Sequence, residues 1–517
     1  MDEPQQRLVD LAAPSHTQKR PAMANRGDNA SPPPGRDHVV IFPFMAKGHT
    51  LPLLHFATAL SLHHRTLRLT LLTTPANRAF ARSHLPASVN LVELPFPSLP
   101  PLPAGVESTD ALPSRSLYPT FLRATALLRE PFAAFLSSLP SPPLALISDF
   151  FLGFTHRVAR AAGVRRVEFN GMSCFSLATC KALIACQPPA ASAEPGGAPF
   201  HVQGMPEHVV ITAEDVPSEV WNLVSDPEDA VARFIVDELG GSDEASWGVL
   251  VNSFAAVDEA YAAALESFYH YQPGTRAWLV GPLFLAAAGD ESSKSERDDD
   301  PEGCLSWLDQ RSGQPGTVVY VSFGTEAHVS DEQLEEIALG LVQSGYPFLW
   351  AVRSPAWSPP VDLGPNGRIV RGWVPQRRVL AHKAVGGFVS HTGWNSVMES
   401  LSAGKPVLAW PLIAEQRLNA RHVVDIVGAG VRVDAKAGFV ERAEVEEKVR
   451  VLMDADGEVG KRVRARAAWV QEMARSAVSD GGTSRLALHN LVQELQTTYK
   501  GGDTEKAIEC NGEATAT

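Results

Sequence analysis

Short apolar runs alternate with segments of helical periodicity along most of this chain of 517 residues, and this alternation limits the possible folds more than any other feature. The first apolar run covers residues 39–42, and a loop with Gly48 and a helical segment separate it from the next run at 67–73. Further strands are predicted at 89–94, 144–148, 164–169 and 248–252. Strands that alternate with helices form a parallel sheet with helices on both faces.

The same alternation begins again in the second half of the chain. Residues 317–322 are an apolar run typical of a strand buried on both faces, and Ser330 forms a capping box with Gln333 at the start of the next helix. Strands are also predicted at 347–352, 386–390 and 406–410. We therefore predict an α/β chain with two doubly wound domains, at residues 37–283 and 304–480.

Four segments lie outside these domains. Residues 1–36 are rich in Pro, Ser, Asn and Gln without periodicity, which predicts a disordered leader. Residues 284–303 combine Gly, Ser and charged residues, as flexible linkers do. A helix with one apolar side is predicted at 481–499, and a disordered tail at 500–517.

Composition excludes several classes of partner. The net charge of −13 argues against nucleic acid or an anionic membrane surface. No apolar run approaches the roughly 18 to 20 residues of a membrane span, and the N-terminus lacks the apolar core of a secretory signal. Five cysteines without CxxC spacing suggest neither a disulfide framework nor a zinc site. We expect a cytoplasmic monomer that binds small molecules.

Residues 373–416 supply a partner for an anion. A short apolar strand at 386–390 turns directly into a helix, so free backbone N–H groups and the positive helix end lie near His391, Asn395 and Ser396. This arrangement suits a diphosphate.

The same segment offers partners for the rest of a nucleotide. Glu399 lies one turn beyond Asn395 and can accept hydrogen bonds from ribose hydroxyls, while Trp373 presents a flat face to a base. Phosphate, ribose and base each have a partner, and the segment is predicted to hold a nucleotide-sugar.

This segment resembles the signature box of the plant family of UDP-dependent glycosyltransferases that modify small molecules. The resemblance rests on fixed spacing of Trp373, Gln376, His391, Gly393, Trp394, Asn395, Ser396, Glu399, Pro411, Glu415 and Gln416. It extends, less strongly, over roughly residues 38–498. It implies the GT-B fold, in which two Rossmann-like domains face each other across a cleft and the last helix returns to the first domain.

The resemblance also implies how UDP is held. Trp373 would stack on uracil, the backbone at Val374 would read its edge, and Gln376 and Glu399 would bind ribose. The diphosphate would be contacted by Ser322, Thr325, His391, Asn395 and Ser396.

Contacts to the sugar are implied for Trp394, Glu415 and Gln416, with Ser173 as a further candidate. Position 415 is Glu where many relatives have Asp, and both carboxylates accept hydrogen bonds from sugar hydroxyls. A terminal Gln rather than His goes with glucose over galactose in such enzymes, so UDP-glucose is the expected donor.

His49 is the candidate catalytic base. It follows the first strand at the start of a helix, where the positive dipole end favours the neutral imidazole. Asp149 ends another strand at the same sheet edge, where it can orient the imidazole and stabilise the imidazolium. The segments GHTLPLLHFA and LISDFF resemble those that hold the family's catalytic His and Asp. The resemblance implies inversion at the anomeric carbon, which yields a beta-glucoside.

Each of these positions also admits a structural interpretation. A histidine after a strand is more often a helix-start or surface residue, and Asp149 can cap a helix. His55 is predicted to pack or to face solvent. Trp394 and Trp410 can both belong to the core, and we predict that Trp410 does.

Metal and redox cofactors are disfavoured. Asp298, Asp299 and Asp300 resemble the paired acids that chelate a metal in a different glycosyltransferase fold, but their charged, flexible setting favours a solvated linker. Gly386 and Gly387 do not follow the GxGxxG spacing of nicotinamide or flavin sites. We expect UDP-glucose as co-substrate and no metal.

The acceptor is predicted to be a lipophilic small molecule, such as a phenolic or a flavonoid. Its pocket is predicted to contain Phe44, Phe121, Phe150, Phe151 and Met172. Transfer to carbon, or use of another UDP-sugar, is compatible with the same donor residues. A nucleotide-sugar sensor without turnover is the alternative from a different class, and it leaves His49 and Asp149 without a purpose.

Overall fold

The computed structural model describes residues 37–187, 198–226, 228–239, 241–269, 275–288, 300–325, 329–354, 356–436 and 438–512. The predicted leader at 1–36 lies outside these residues, as does the greater part of the predicted linker, at 289–299. Asp298 and Asp299 therefore lie outside them too. The carboxylate of Asp300 accepts hydrogen bonds from the backbone N–H groups of Cys304 and Leu305 at the start of a helix.

Fifteen strands are described. They are β1 His38–Phe42, β2 Arg68–Thr73, β3 Asn90–Glu93, β4 Ala145–Asp149, β5 Arg165–Asn170, β6 Phe200–His201, β7 Val210–Ile211, β8 Gly248–Val251, β9 Arg276–Leu279, β10 Val318–Ser322, β11 Phe348–Ala351, β12 Gly367–Val370, β13 Val385–Ser390, β14 Val407–Ala409 and β15 Gly430–Arg432.

The α-helices surround these strands. They are α1 Lys47–His63, α2 Arg78–Ser83, α3 Tyr118–Ala126, α4 Arg129–Ser138, α5 Phe154–Ala161, α6 Cys174–Cys186, α7 Ser218–Ser225, α8 Ala230–Phe234, α9 Ala255–Asp258, α10 Ala262–Ser267, α11 Leu283–Ala286, α12 Cys304–Asp309, α13 Asp331–Ser344, α14 Gln376–Ala381, α15 Trp394–Ser402, α16 Gln416–Arg421, α17 Arg442–Met453, α18 Glu458–Val478 and α19 Thr483–Gly512. A π-helical segment, His422–Val427, continues α16.

The strands form two parallel sheets and a small antiparallel pair, β6 with β7. The first sheet has the order β3-β2-β1-β4-β5-β8-β9, and the second has the order β12-β11-β10-β13-β14-β15. The central strands β1, β4, β10 and β13 are buried throughout, as expected for strands covered on both faces. The predicted α/β class with two parallel sheets is confirmed.

Each sheet reverses its strand order once, between β1 and β4 in the first and between β10 and β13 in the second. Loops that leave neighbouring strands at such a point diverge to opposite faces, and a crevice opens at their carboxyl ends. Asp149 ends β4, and Ser322 and Ser390 end β10 and β13. The two reversals therefore mark where ligands can enter.

The final helix α19 packs against the first sheet. Leu488, Leu491, Val492 and Leu495 are buried in the same apolar cluster as the side chains of β1 and β2. The helix extends to Gly512, beyond residue 499, where the sequence pattern places its end. In the part of the chain that the structure describes, no helix has the length and apolarity needed to cross a membrane.

The second sheet requires glycine at position 386. A register shift between β10 and β13 places Gly386 in a bulge, and a Cβ there would lie 1.9 Å from the carbonyl oxygen of Gly316. Backbone atoms cannot move aside as a flexible side chain can. Only glycine therefore fits this bulge without strain.

We expect Gly386→Ala to destabilise the protein by about 1–3 kcal/mol, because the added methyl group overpacks a buried strand. Urea unfolding followed by intrinsic fluorescence measures the change. Gly313→Ala is the matched control, since a Cβ at Gly313 has no neighbour within 4 Å. Equal stability of the two variants would contradict the bulge assignment.

Candidate active site

A cavity of about 1210 Å³ lies where the carboxyl ends of both sheets meet. His49, Phe150 and Met172 line it from the first half of the chain, and Ser322 and His391 line it from the second. The cavity exceeds the roughly 300–1,000 Å³ of a pocket for one small ligand. It is large enough for two.

The side chains of His49 and Asp149 meet at one wall of this cavity. His49 is in the first turn of α1, and its Nδ1 lies 2.9 Å from Oδ2 of Asp149. The Asp149 side chain is fully buried and its Oδ1 accepts a hydrogen bond from the backbone N–H of Phe151, whereas the His49 side chain is 24% exposed. A fixed carboxylate thus orients an imidazole whose Nε2 lies on the side away from Asp149.

His391 and the start of α15 form the opposite wall. Burial lowers the pKa of His391 to about 4, although a hydrogen bond with the backbone of Ser322 opposes this effect. Its buried Nδ1 has no hydrogen-bond partner among the described residues. The imidazole is therefore neutral near pH 7 and adds no positive charge to this wall.

Two glycines hold His391 in place. A Cβ at Gly324 would lie 2.7 Å from the Nε2 atom of His391, and one at Gly393 would lie 2.5 Å from it. Gly324 also has a φ of 78°, and Thr392, between His391 and Gly393, has a φ of 63°. The ring is therefore enclosed by backbone on two sides. Ser322 and Thr325 line the cavity beside it.

A polar network links the residues predicted to bind ribose. Gln376 donates through Nε2 to Oε2 of Glu399 at 2.8 Å and to Oγ of Ser396 at 3.1 Å, and its Oε1 accepts from the Tyr320 hydroxyl at 3.2 Å. Trp373 is 46% exposed at the rim, beside the buried Val374. The structure therefore brings these predicted residues together.

Asn395 lies between the two walls. Its Nδ2 donates to the carbonyl oxygen of Gly48 at 2.6 Å, and its Oδ1 accepts from Asn252 at 3.4 Å. Because Gly48 precedes His49, this contact links the start of α15 directly to the candidate base.

The loop before α16 supplies the predicted sugar contacts. Oε1 of Gln416 accepts hydrogen bonds from the backbone N–H groups of Leu412 and Ile413, which turns the amide nitrogen the other way. Burial raises the pKa of Glu415, and hydrogen bonds from its own backbone and from Asn419 oppose the rise. Both residues line the cavity.

Comparisons with known proteins identify the family. The family model described as UDP-glucoronosyl and UDP-glucosyl transferase matches residues 287–457. UDP-glycosyltransferase 90A1 of Arabidopsis thaliana is 36% identical over 488 residues, which cover 89% of this chain and 96% of that protein. The chain belongs to the plant UDP-glycosyltransferases.

Solved structures agree with this family. Glycyrrhiza uralensis UGT73P12, complexed with glycyrrhetinic acid 3-O-monoglucuronide, has a TM-score of 0.79 at 28% identity, over 93% of this chain and 100% of that one. Phytolacca americana UGT2, complexed with UDP-2fluoro-glucose and pterostilbene, has a TM-score of 0.72 at 28% identity, over 89% and 99%. The predicted GT-B fold and the predicted enzyme class are confirmed.

Trp394 of this UDP-glycosyltransferase is among the residues that line the cavity, but its indole ring is almost completely buried. Its side chain is 3% exposed, stacks on His422, and donates through Nε1 to the carbonyl oxygen of Asn252 at 2.9 Å. The indole is therefore core. As the first residue of α15, Trp394 retains a backbone N–H without an intrahelical partner. Trp410 is core too, as predicted.

Ser173 also departs from its predicted role. It is fully buried, and its hydroxyl accepts a hydrogen bond from the Ser176 backbone as the cap of α6. The hydroxyl lies 3.4 Å from Oδ1 of Asn419 rather than on the cavity surface. The Ser173 hydroxyl thus contacts a residue of α16 and does not line the cavity.

The predicted acceptor pocket is only partly at the cavity surface. Phe150, Phe151 and Met172 line the cavity, whereas Phe44 and Phe121 are at most 1% exposed. Phe44 packs edge-on against the His49 ring at 5.5 Å and stacks on Phe151 at 4.8 Å. Phe44 therefore supports the base from behind, and Phe121 packs in turn against Phe44.

Sequence reasoning missed a histidine in the cavity wall. His55 lines the cavity with Leu51 and Thr58, which share its face of α1 by their spacing. Burial and the positive charges of Arg377 and His84 lower the pKa of His55 to about 3. The i, i+4, i+7 spacing was the signal that could have placed it there.

No group of three or more His, Cys, Asp or Glu side chains is arranged to hold a metal ion within the described ranges. The residues predicted to contact the diphosphate carry hydroxyl, amide and imidazole groups.

We expect Gly393→Ala to weaken UDP binding at least about tenfold, or about 1.4 kcal/mol, because the methyl group displaces His391 from its place. Isothermal titration calorimetry with UDP measures this. Gly171→Ala adds a methyl group to the same cavity with no neighbour within 4 Å, and its affinity should stay unchanged. Wild-type affinity in Gly393→Ala would rule out a diphosphate contact by His391.

Proposed function

We propose that this UDP-glycosyltransferase transfers glucose from UDP-glucose to a hydroxyl group of a lipophilic small molecule, a phenolic or a flavonoid. The observation that carries the proposal is the 2.9 Å contact between His49 and Asp149 in a cavity that also contains Glu415 and Gln416. A protein that only binds a nucleotide-sugar needs no oriented base.

In the proposed reaction, His49 Nε2 removes the proton of the acceptor hydroxyl as its oxygen attacks the anomeric carbon. The bond from that carbon to the diphosphate oxygen breaks, and its electron pair leaves with UDP. Asp149 stabilises the imidazolium that forms at His49. Attack from the face opposite UDP inverts the anomeric carbon and gives a beta-glucoside.

Stabilisation of the leaving diphosphate is assigned to the helix α15 end and to neutral donors. Hydroxyl, amide and imidazole groups that surround this position act together with the positive helix end. They are Ser322, Thr325, His391, Asn395 and Ser396. We propose that these groups suffice without a metal ion.

Glucose is proposed as the sugar because of the orientation of the Gln416 amide. Its oxygen accepts from the backbone N–H groups of Leu412 and Ile413, so its nitrogen is the atom that can donate to a sugar hydroxyl. The Phytolacca americana structure contains UDP-2fluoro-glucose, in support of this choice. The same structure contains pterostilbene, in support of a phenolic acceptor beside the aromatic side chains of Phe150 and Phe151.

We further propose that the enzyme acts as a monomer in the cytoplasm. Both walls of the cavity come from one chain, so catalysis requires no second copy. Buried, unpaired Cys174, Cys180 and Cys304 suit a reducing compartment. Size-exclusion chromatography of the active enzyme tests the first point.

We expect His49→Ala to lower kcat by at least about 100-fold and to leave UDP affinity unchanged, because the base contacts the acceptor and not the nucleotide. Incubation with UDP-glucose and a panel of phenolics, with product analysis by mass spectrometry, measures transfer. His201→Ala, at an exposed histidine, is the control. Full activity of His49→Ala would refute the base assignment, and a product resistant to acid hydrolysis would indicate transfer to carbon.

We expect transfer to continue at the same rate after dialysis against excess EDTA, since neutral donors and a helix end stabilise the diphosphate. Initial rates with and without added Mg²⁺ or Mn²⁺ measure this. A rate that falls with EDTA and returns with either ion would show that the proposed metal-free mechanism is wrong.

A further inference from the structure

Asn419 uses every hydrogen-bonding position of its side chain, in a fully buried site between the two halves of the chain. Its Nδ2 donates to the carbonyl oxygen of Thr392 at 3.0 Å and to Oε1 of Glu415 at 3.1 Å. Its Oδ1 accepts from the hydroxyls of Ser176, at 2.7 Å, and Ser173, at 3.4 Å. An amide has two donors and two acceptor sites, and all four are used.

The amide of Asn419 has only one workable orientation. The Thr392 carbonyl oxygen cannot donate a hydrogen bond, so the atom that faces it must be the amide nitrogen. The Ser173 hydroxyl already accepts from the Ser176 backbone N–H, which leaves its hydrogen for Oδ1 of Asn419. The network is therefore directional and runs to Glu415 from the acceptor half of the chain, residues 37–283.

The helix that carries Asn419 is docked on the acceptor half along its whole length. Arg417 donates to the carbonyl oxygen of Glu214 at 2.8 Å, and Arg421 pairs with the buried Asp215 at 2.9 Å. His422, at the start of the π-helical segment, lies 3.1 Å from the carbonyl oxygen of Val257. Ser173 and Ser176 thus contact an element that is already held against their half.

We propose that Asn419 is a positioning residue that makes the grip of Glu415 on the donor sugar depend on the docking of the acceptor half. The inference rests on the proposed function, because it requires that Glu415 contacts the sugar. Separation of the halves would remove both hydroxyls from Oδ1 of Asn419. The amide would then be free to turn, and Glu415 would lose the donor that fixes its carboxylate.

UDP and UDP-glucose separate this role from general stability, since UDP lacks the sugar. We expect Asn419→Ala to lower the affinity for UDP-glucose at least about tenfold, the effect of losing a hydrogen bond to a charged group. Ser176→Ala should lower it less, by about threefold to fivefold, because Ser173 still contacts Oδ1. Neither variant should alter UDP affinity. Calorimetric titration of both ligands measures the four values.

Thr179→Val is the matched control. It removes a buried hydroxyl from the same helix α6, but that hydroxyl bonds only the carbonyl oxygen of Phe175 in its own half. Its affinity for both ligands should equal that of the wild type. Thermal unfolding of each variant shows whether it is folded, and if Asn419→Ala is not, Ser176→Ala decides alone.

Two outcomes would overturn the proposal. Equal loss of UDP and UDP-glucose affinity would reduce Asn419 to a structural residue, and wild-type affinities in Ser176→Ala would show that the acceptor half has no part in the grip. Glu415→Ala tests the underlying function separately. If that variant binds UDP-glucose as the wild type does, the proposed sugar contact fails; if it binds UDP-glucose weakly while Ser176→Ala does not, only the coupling fails.

Discussion

The reversal of strand order in each parallel sheet is the constraint from which the active site follows. Between β1 and β4, and between β10 and β13, loops diverge and leave a crevice at the carboxyl ends of the strands. His49 and Asp149 reach the first crevice from positions 100 residues apart, and their side chains meet there at 2.9 Å. His391 reaches the second from the end of β13. Without the reversal, the loops after neighbouring strands would all turn to the same face of the sheet. No crevice would then open between β1 and β4 or between β10 and β13.

Polar contacts join the two halves beside shared apolar clusters, and they suit a cleft whose two walls must be in register. Asn395 bonds the backbone of Gly48, Trp394 bonds that of Asn252, and Arg421 pairs with Asp215. Hydrogen bonds have narrow limits of distance and angle, and a buried donor that loses its acceptor costs about 1–3 kcal/mol. Hydrogen bonds across the cleft therefore fix the distance between the donor and acceptor walls more sharply than apolar packing would. The bond from Asn395 of α15 to Gly48 does so beside the candidate base itself.

Much of this arrangement could be predicted from the sequence, because local patterns determine it. Apolar runs placed the central strands, and the position of His49 after a strand and at a helix start placed it at the sheet edge. The edge strands β12 and β15 were missed since they have three or four residues and are only partly buried, so no apolar run marks them. Burial decided the remaining differences. Phe44 and Phe150 are alike in sequence terms, yet one is core and the other lines the cavity, and the tertiary packing that separates them leaves no local signal.

Most polar groups of the donor wall are held in place by the protein itself. Gly324 and Gly393 enclose His391, backbone N–H groups hold the Gln416 oxygen, and Gln376 is bonded to Glu399. Groups fixed in this way lose little conformational entropy when a ligand binds. More of the interaction free energy of each contact therefore contributes to affinity or to stabilisation of the transition state. Trp373 differs, because its ring is 46% exposed at the rim. A base that covers this ring removes apolar surface from water, at roughly 25 cal/mol per Å². In the proposed function, affinity for the base and selectivity for the sugar thus come from opposite ends of the site, through burial at one and fixed polar geometry at the other.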